Sequence, residues 1–381
     1  MKKRFKLVSL IIMIIFGTFT LAWTSPSFIA YATYIEGSIT QDTIWTLTDS
    51  PFVVSKNITV SAGVTLTIEP GVEIRFGGDF ALIVEGTLIA CGTENKTITF
   101  TSNKDQPEAG DWISIEFKES DPSTLTYCVV EYAKNGITVV DGKVEVRNNE
   151  IAKNSENGIY ITGDNQATIQ NNKIKSNQNG ILLTGSSTTG VSITENILML
   201  NTQGGIQLDV EEYMDVVILN NILSANGNGF YVSGQVSTYI TRNYISNNTV
   251  GIFYTRGWGH VAYYNDIYGN EYGMDITSNA TVNAEYNYWG HESGPYHISL
   301  NPAGEGNPVL GDGVSLDFIF FLTAPIDYPN TPPIARLLTD KTLVPPNQAV
   351  TFIATTSSDE GRVDKYLFNF GDGTDSGWTT L

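Results

Sequence analysis

The most regular feature of the chain is an alternation of aliphatic and polar residues that returns at spacings of 22, 22, 24, 25, 22 and 22 residues. Each repeat contains a glycine followed by a short alternating stretch, as in Gly158-Ile-Tyr-Ile and Gly229-Phe-Tyr-Val. The repeat glycines are Gly136, Gly158, Gly180, Gly204, Gly229, Gly251 and Gly273. Alternation with a period of two predicts short strands with one buried face, and several strands per repeat of this length predict an all-β solenoid.

Two registers of asparagine accompany the glycines, with an aliphatic residue between them. The first register is Asn149, Asn172, Asn196, Asn221, Asn243, Asn265 and Asn287, and the second is Asn154, Asn177, Asn201, Asn226, Asn248 and Asn270. The aliphatic row is Ile151, Ile174, Leu198, Leu223, Ile245 and Ile267, and Trp289 closes it. Stacked coils lie about 4.8 Å apart, so equivalent asparagines can bond from coil to coil. We expect both ladders to point inward and the aliphatic residues to form one long core. Asparagine also tolerates left-handed backbone, which suits it to the turns between strands.

Residues 33–123 carry a shorter version of this pattern, in which strand-like triplets beginning at Ile58, Leu66, Ile74 and Leu82 recur every 8 residues. We interpret this region as an N-terminal cap and the first coils. The segment from Tyr34 to Pro51 is expected to be the cap, because a solenoid must hide its terminal strand edge. The main repeats and their closing motif are assigned to residues 124–325.

Residues 1–32 have the order of a secretory signal peptide. Four cations precede an apolar run from Leu7 to Trp23, and the small-residue site Ala30-Tyr-Ala32 follows. The chain is therefore expected to be secreted or held at the cell surface, without an integral membrane domain after cleavage. An uncleaved N-terminal anchor is the alternative.

The repeats resemble those of right-handed parallel β-helix proteins, a broad group of carbohydrate-binding proteins and sugar hydrolases. The resemblance covers roughly residues 36–325. Its most specific part is Asn287-Tyr-Trp-Gly-His-Glu-Ser-Gly-Pro-Tyr-His297 with Asn301-Pro-Ala-Gly-Glu-Gly306, which matches the closing motif of many such helices. The tail at residues 314–322 lacks that group's usual tryptophan and proline, so the last coil is expected to pack differently. The resemblance implies a right-handed parallel β-helix.

A second resemblance follows a linker at residues 326–333. Tyr366-Leu-Phe-Asn-Phe-Gly-Asp-Gly-Thr374 is similar to the core motif of polycystic-kidney-disease (PKD) domains, with Phe368 and Asn369 in place of the usual tryptophan and aspartate. The resemblance implies a partial immunoglobulin-like β-sandwich at residues 334–381. Its later strands are missing before Leu381, so we expect the sequence to be a fragment of a longer surface protein.

Charge and metal-binding side chains restrict the possible partners. The net charge of −19 sets nucleic acid aside as a partner. Two cysteines, Cys91 and Cys128, are too few for a disulfide framework; both are expected to be buried and unpaired, with a bridge between them as the alternative. The three histidines (His260, His291 and His297) lack ligand spacing, so no metal ligands are assigned, which argues against a copper-handling role even though some periplasmic copper-maturation proteins share this fold. No cofactor is expected, although the acidic loops leave calcium open.

A catalytic site is not evident in the sequence. The outward row two residues beyond each glycine holds a single carboxylate and no cation, whereas a lyase needs both a cation and a base, and a hydrolase needs two carboxylates. If the protein is an enzyme, the candidate residues are Asp209, Glu211, Arg256 and His260, in loops two coils apart. The alternative is that these residues lie in two solvent-exposed loops that differ in charge and have no catalytic role.

Aromatic residues are concentrated between residues 230 and 296. Flat rings on an outer sheet face can stack on sugar rings, although aromatic residues also simply favour strands. The candidate carbohydrate-binding residues are Tyr231, Phe253, Trp258 and Tyr263. We therefore expect a non-catalytic surface protein that presents a glycan-binding face, with a PKD-type spacer. The alternative is a polysaccharide lyase, hydrolase or epimerase on the same fold.

Overall fold

Three parallel β-sheets, here named A, B and C, wind around one core in the computed structural model, which describes residues 32–235, 237–312 and 315–326 and four two-residue strands nearer the C-terminus. Sheet A contains Thr43–Trp45, Thr65–Ile68, Thr87–Cys91, Ser123–Thr126, Lys143–Arg147, Tyr239–Thr241, Gly257–Tyr263, Ala280–Asn283 and Leu316–Asp317. Sheet B contains Glu73–Phe76, Ile98–Ser102, Cys128–Glu131, Glu150–Ala152, Lys173–Lys175, Ile197–Met199, Ile222–Ser224, Tyr244–Ser246 and Asp266–Tyr268. Sheet C contains Leu82–Val84, Ile115–Lys118, Ile137–Val140, Asn228–Val232, Val250–Tyr254, Tyr272–Ile276 and Val309–Leu310.

Five longer strands belong to two sheets each. Thr33–Ile39 and Phe52–Val60 run from sheet B into sheet C, while Asn157–Gln170, Asn179–Thr194 and Gly204–Leu219 run from sheet C into sheet A. One coil thus passes through sheets A, B and C in turn, and each strand pairs in parallel with its equivalents in the coils before and after. Ile151, for example, pairs with Ile174. The predicted right-handed parallel β-helix is confirmed.

The N-terminal region differs in two respects from the expectation. The 8-residue spacing places one strand in each of the three sheets, so residues 52–102 form coils of ordinary size. Residues 33–45 form the first coil itself, since Thr33–Ile39 pairs with Phe52–Val60 and Thr43–Trp45 pairs with the strand at Thr65. Leu47–Asp49 is a single 3-10 turn.

The two asparagine ladders lie inside the helix, as predicted. Asn221 is fully buried; its Oδ1 accepts the backbone N–H and the Nδ2–H of Asn196, and its own Nδ2 donates to the carbonyl oxygens of Ile193 and Leu219. The second ladder continues beyond its predicted end, because Asn270 Nδ2 donates to Asn307 Oδ1 at 3.1 Å. From Asn149 onward, two corners of each coil are therefore held by buried amides that bond to the next coil.

The left-handed residues at these corners are not the ladder asparagines. They are the residues immediately before them, of almost any type, such as Lys153, Glu195, Leu200 and Tyr264, each with φ between 52° and 59°. The left-handed conformation is unfavourable for such side chains, and the inward amides of the following asparagines stabilise the corner that contains it.

The C-terminal domain lies largely outside the described residues. Leu338–Thr339 pairs antiparallel with Phe352–Ile353, and Lys365–Tyr366 pairs antiparallel with Thr379–Thr380. The partial PKD sandwich stays a prediction, as does the signal peptide, of which residues 1–31 are not described. Within the described residues, no helix has the length and apolar character needed to cross a bilayer.

Candidate functional site

The predicted carbohydrate-binding residues are divided between two faces of the helix. Tyr231 and Phe253 pair with each other on sheet C, and their rings meet edge to face at 5.5 Å. Trp258 and Tyr263 lie on the strand Gly257–Tyr263 of sheet A. The four residues therefore cannot contact one sugar together.

Tyr231 lines an open groove of about 480 Å³ on the outside of sheet C, beside its corner with sheet B. The groove residues are Thr202, Gln203, Gln207, Gly227, Asn228, Tyr231 and Thr249. The second asparagine ladder turns inward at this corner, and the residues that follow each ladder position form the groove wall. A Cβ at Gly227 would lie 2.5 Å from the carbonyl oxygen of Gln203, so glycine lets the two coils approach closely here.

All side chains that line this groove are uncharged, and most are polar. Its lining offers side-chain amides, hydroxyl groups and one aromatic ring, and no lining residue carries a charge. Amides and hydroxyls both donate and accept hydrogen bonds, and a tyrosine ring offers an apolar face beside them. Such a groove matches an uncharged, polyhydroxylated ligand.

A second surface, which we call the aromatic row, consists of Tyr239, Tyr263, Tyr264, Tyr286 and Phe320. Tyr264, Tyr286 and Phe320 stack on one another from coil to coil, with centroid distances of 5.7 and 6.3 Å and interplanar angles of 17° and 14°. Tyr263 meets Tyr239 and Tyr286 edge to face. The faces of the stacked rings pack against each other, so mainly the ring edges contact solvent. A sugar stacks on the face of an aromatic ring, and this surface is therefore poorly suited to bind one.

Of the predicted catalytic residues, three come together and one does not. Arg256 Nη2 contacts Glu211 Oε1 and lies 3.5 Å from Asp209 Oδ1, and its Nε donates to the carbonyl oxygen of Ser233. All three charged side chains are partly exposed, so two carboxylates and one guanidinium form a small surface ion-pair cluster. Exposed pairs of this kind usually contribute little to stability.

His260 lies inside the helix, fully buried. Its Nδ1 accepts the Thr238 backbone N–H at 3.2 Å, and its Nε2 lies 2.9 Å from the Arg256 carbonyl oxygen, to which it donates in the neutral form. Burial lowers the pKa of His260. Both ring nitrogens are therefore engaged by the chain itself, and this geometry gives the residue a structural role rather than one in acid–base chemistry or metal binding.

The other two histidines also bond to groups of the chain itself. His297 Nε2 contacts the Gly311 carbonyl oxygen and its Nδ1 accepts the Leu300 N–H, while His291 pairs with Ser293 and Glu305. Both cysteines are unpaired, and burial raises the pKa of Cys128. Across the part of the chain that the structure describes, no three His, Cys, Asp or Glu side chains are grouped as a metal site would need.

Comparison with solved structures finds the same fold in a protein named periplasmic alginate epimerase. The periplasmic alginate epimerase AlgG aligns with a TM-score of 0.51 and 15% identity, over 74% of this chain and 84% of that chain. An alginate lyase from Paenibacillus sp. str. FPU-7 aligns with a TM-score of 0.42 and 15% identity, over 69% of this chain and 99% of that chain. At this identity the likeness to AlgG shows a shared fold.

Comparison with sequences gives one short and one long match. An 82-residue stretch is 37% identical to the Drosophila melanogaster protein named Protein bark beetle, which is 21% of this chain and 3% of that protein. The chain thus matches only a small part of that relative. A family model described as periplasmic copper-binding protein (NosD) matches residues 89–307, more than half of the chain, and the protein therefore belongs to the NosD family.

Proposed function

We propose that this protein is an exported β-helix that binds an uncharged polysaccharide in the sheet C groove beside Tyr231, without cleaving it. The observation that carries the proposal is the lining of the groove, which combines amides, hydroxyls and an aromatic ring and contains no charged residue. A groove open along the helix suits a ligand that extends over several coils, as a polysaccharide chain does.

Export is part of the proposal. It is supported by the predicted signal at residues 1–32 and by the word periplasmic in the descriptions of both the family and the AlgG neighbour. Copper, which the family description also names, finds no fitting donor set among the described residues. The three histidine rings are engaged by the chain itself, and Cys128 is buried away from solvent. We therefore derive no step through copper.

The second candidate function is a polysaccharide lyase, hydrolase or epimerase, favoured by the fold shared with an enzyme named alginate epimerase. Its centre would be the cluster of Asp209, Glu211 and Arg256. In the structure these charges neutralise each other in part, and His260 is not available as a base. The cluster can hold a charged group, but its geometry provides no free acid–base pair.

A glycan array of neutral and uronate polysaccharides, followed by titration calorimetry, tests the proposal. Tyr231→Ala should weaken binding of a neutral polysaccharide about tenfold, which corresponds to roughly 1.4 kcal/mol, and Phe253→Ala should weaken it less because that ring only supports Tyr231. Tyr263→Ala, on the other face, is the matched control and should bind normally. Unchanged affinity in Tyr231→Ala would show that the groove is not the binding site.

Assays for reducing ends and unsaturated products on the same polysaccharides separate the two candidates. We expect no product. Product formation that is lost in Asp209→Asn and Arg256→Ala, with binding retained, would show instead that the protein is a polysaccharide-modifying enzyme.

A further inference from the structure

One part of the outer face of sheet B is buried, unlike the outer face of sheet A. Each short strand of sheet B points its central residue inward, as Leu198 does, and its two flanking residues outward. Ile197 and Met199 accordingly form an apolar cluster that is separate from the main core, packed with Leu200 and Ile222. We call the outward side chains Ile197, Met199, Ile222, Ser224, Ser246 and Asp266 the sheet B patch.

The exposures of the two faces contrast sharply. Met199 and Ser224 have 0% of their surface exposed and Asp266 has 2%, although all three point away from the core. On the outer face of sheet A, Val217 and Tyr239 are 47% and 59% exposed. An outward methionine on a three-residue strand is buried only when another segment lies over it, so the patch is an occupied surface.

The path of the chain identifies the segment. Leu322 bridges Tyr288 in the last coil, and Tyr288 bridges Asp266 in the coil before it. Four residues after Leu322, the backbone N–H of Ile326 donates to Asp266 Oδ1 at 3.1 Å. The chain therefore turns back from the end of the helix and runs onto the sheet B patch.

The distances suit this path. Asp266 pairs with Tyr244, which pairs with Ile222, which pairs with Ile197, so the patch extends three coils from the exit point, about 14 Å at the usual strand spacing. About five extended residues cover that distance, and 55 residues follow Ile326. A segment tethered at the edge of the patch also has a high effective concentration there, which favours it over a second copy of the chain.

We propose that residues 327–381 dock along the sheet B patch, so that the C-terminal segment lies against the β-helix rather than extending from it as a free spacer. The occupant must present apolar side chains to Ile197, Met199 and Ile222 and hydrogen-bonding groups to the serines. Docking there leaves the sheet C groove and the aromatic row open. This inference is independent of the proposed glycan ligand.

Photocrosslinking in the full chain tests the proposal. We place p-benzoylphenylalanine at Ile222 and, as a matched control in the same coil, at Val217 on sheet A. After irradiation and peptide mapping, position 222 should form adducts with residues 327–381 and position 217 should form none. A mixture of isotopically heavy and light chains shows whether each adduct lies within one chain. Adducts at position 222 that form only between chains, or that do not reach residues 327–381, would overturn the proposal.

Methionine oxidation provides a second measurement that needs no change in the patch. A protease site inserted in the linker at residues 327–333 allows the folded full chain to be cut and the C-terminal piece removed. Oxidation of Met199 by peroxide should then accelerate several-fold, while that of Met274, which is buried in the core, should not change. An unchanged rate at Met199 would show that another segment covers the patch.

Discussion

Two adjacent glycines, Gly204 and Gly205, allow a direct test of how the coils pack. The 22 to 25 residue spacing places Gly204 in the row of repeat glycines, but in the structure Gly205 occupies that position. Gly204 instead pairs with Asn179 and Asn228 on the neighbouring coils. Alanine at each position should therefore have opposite effects on stability, although the two residues are neighbours in one strand.

The magnitudes follow from the space around each glycine. A Cβ at Gly205 would lie 2.8 Å from the Gly229 carbonyl oxygen and 2.9 Å from Leu223 Cδ2, and both distances are shorter than van der Waals contact allows. Neither neighbour can retreat, because one is backbone of the next coil and the other is fully buried. Overpacking of this kind costs about 1–3 kcal/mol. A Cβ at Gly204 would meet nothing closer than 3.5 Å, and alanine there should stabilise the fold by about 0.4–1 kcal/mol by restricting the unfolded chain.

Thermal unfolding of the two variants, followed by calorimetry, measures the difference. The two should differ by about 1.4–4 kcal/mol, or roughly 3–16 °C in melting temperature at about 2–4 °C per kcal/mol. Far-UV circular dichroism before melting checks that both variants are folded. Equal melting temperatures, or a lower one for Gly204→Ala, would refute the assignment of Gly205 to the row of repeat glycines and the packing argument with it.

Three further outcomes are expected. Asn221→Val should lower the free energy of unfolding by about 1–3 kcal/mol, because the buried N–H of Asn196 loses its acceptor. The midpoint of urea unfolding measures this change, and Asn279→Ala, on an exposed turn, is the control. An unchanged midpoint in Asn221→Val would show that the ladder is dispensable. Because burial lowers the pKa of His260, its contribution to stability is present above its usual pKa of about 6.5 and is lost as the pH falls through and below that value. The drop in melting temperature from about pH 7.5 to about pH 5.5 should thus be smaller in His260→Gln, and an equal drop would contradict the assignment. Mass analysis of the exported protein should find a chain that begins directly after Ala32, and a chain retaining its first residues would identify an anchor.

The interior of the helix was predictable because every coil repeats the same contacts. Equivalent residues stack in register, so one row of asparagines or isoleucines in the sequence becomes one row in the structure. The prediction was incomplete where an insertion breaks the period. Asn307 continues the second ladder 37 residues after Asn270, because the closing motif lies between them, and the spacing rule could not find it.

The candidate sites were harder to predict because they depend on outward residues, which the repeat does not constrain. Tyr264 and Tyr286 precede ladder asparagines at a spacing of 22 residues, a signal that could have indicated stacked corner rings. Phe320 follows the closing motif and carries no such signal. His260 was expected in a loop, but an irregularity in register between Gly257 and His260 turns its ring inward.

The same division between inward and outward residues governs how function can vary on this fold. Inward residues are held by ladder amides and packed aliphatics, so substitutions there change stability before they change binding. Outward residues carry little of that energy, and the outer surface presents different chemistry from place to place. Stacked aromatic rings lie at the corner of sheets A and B, a buried apolar patch lies on sheet B, and an uncharged polar groove lies on sheet C. A coil shared with proteins named copper-binding or alginate epimerase therefore does not transfer their ligands, because those ligands depend on outward side chains that the repeat leaves free. The polysaccharide of the proposed function should be sought first in the groove beside Tyr231 on sheet C, whose lining offers uncharged donors and acceptors.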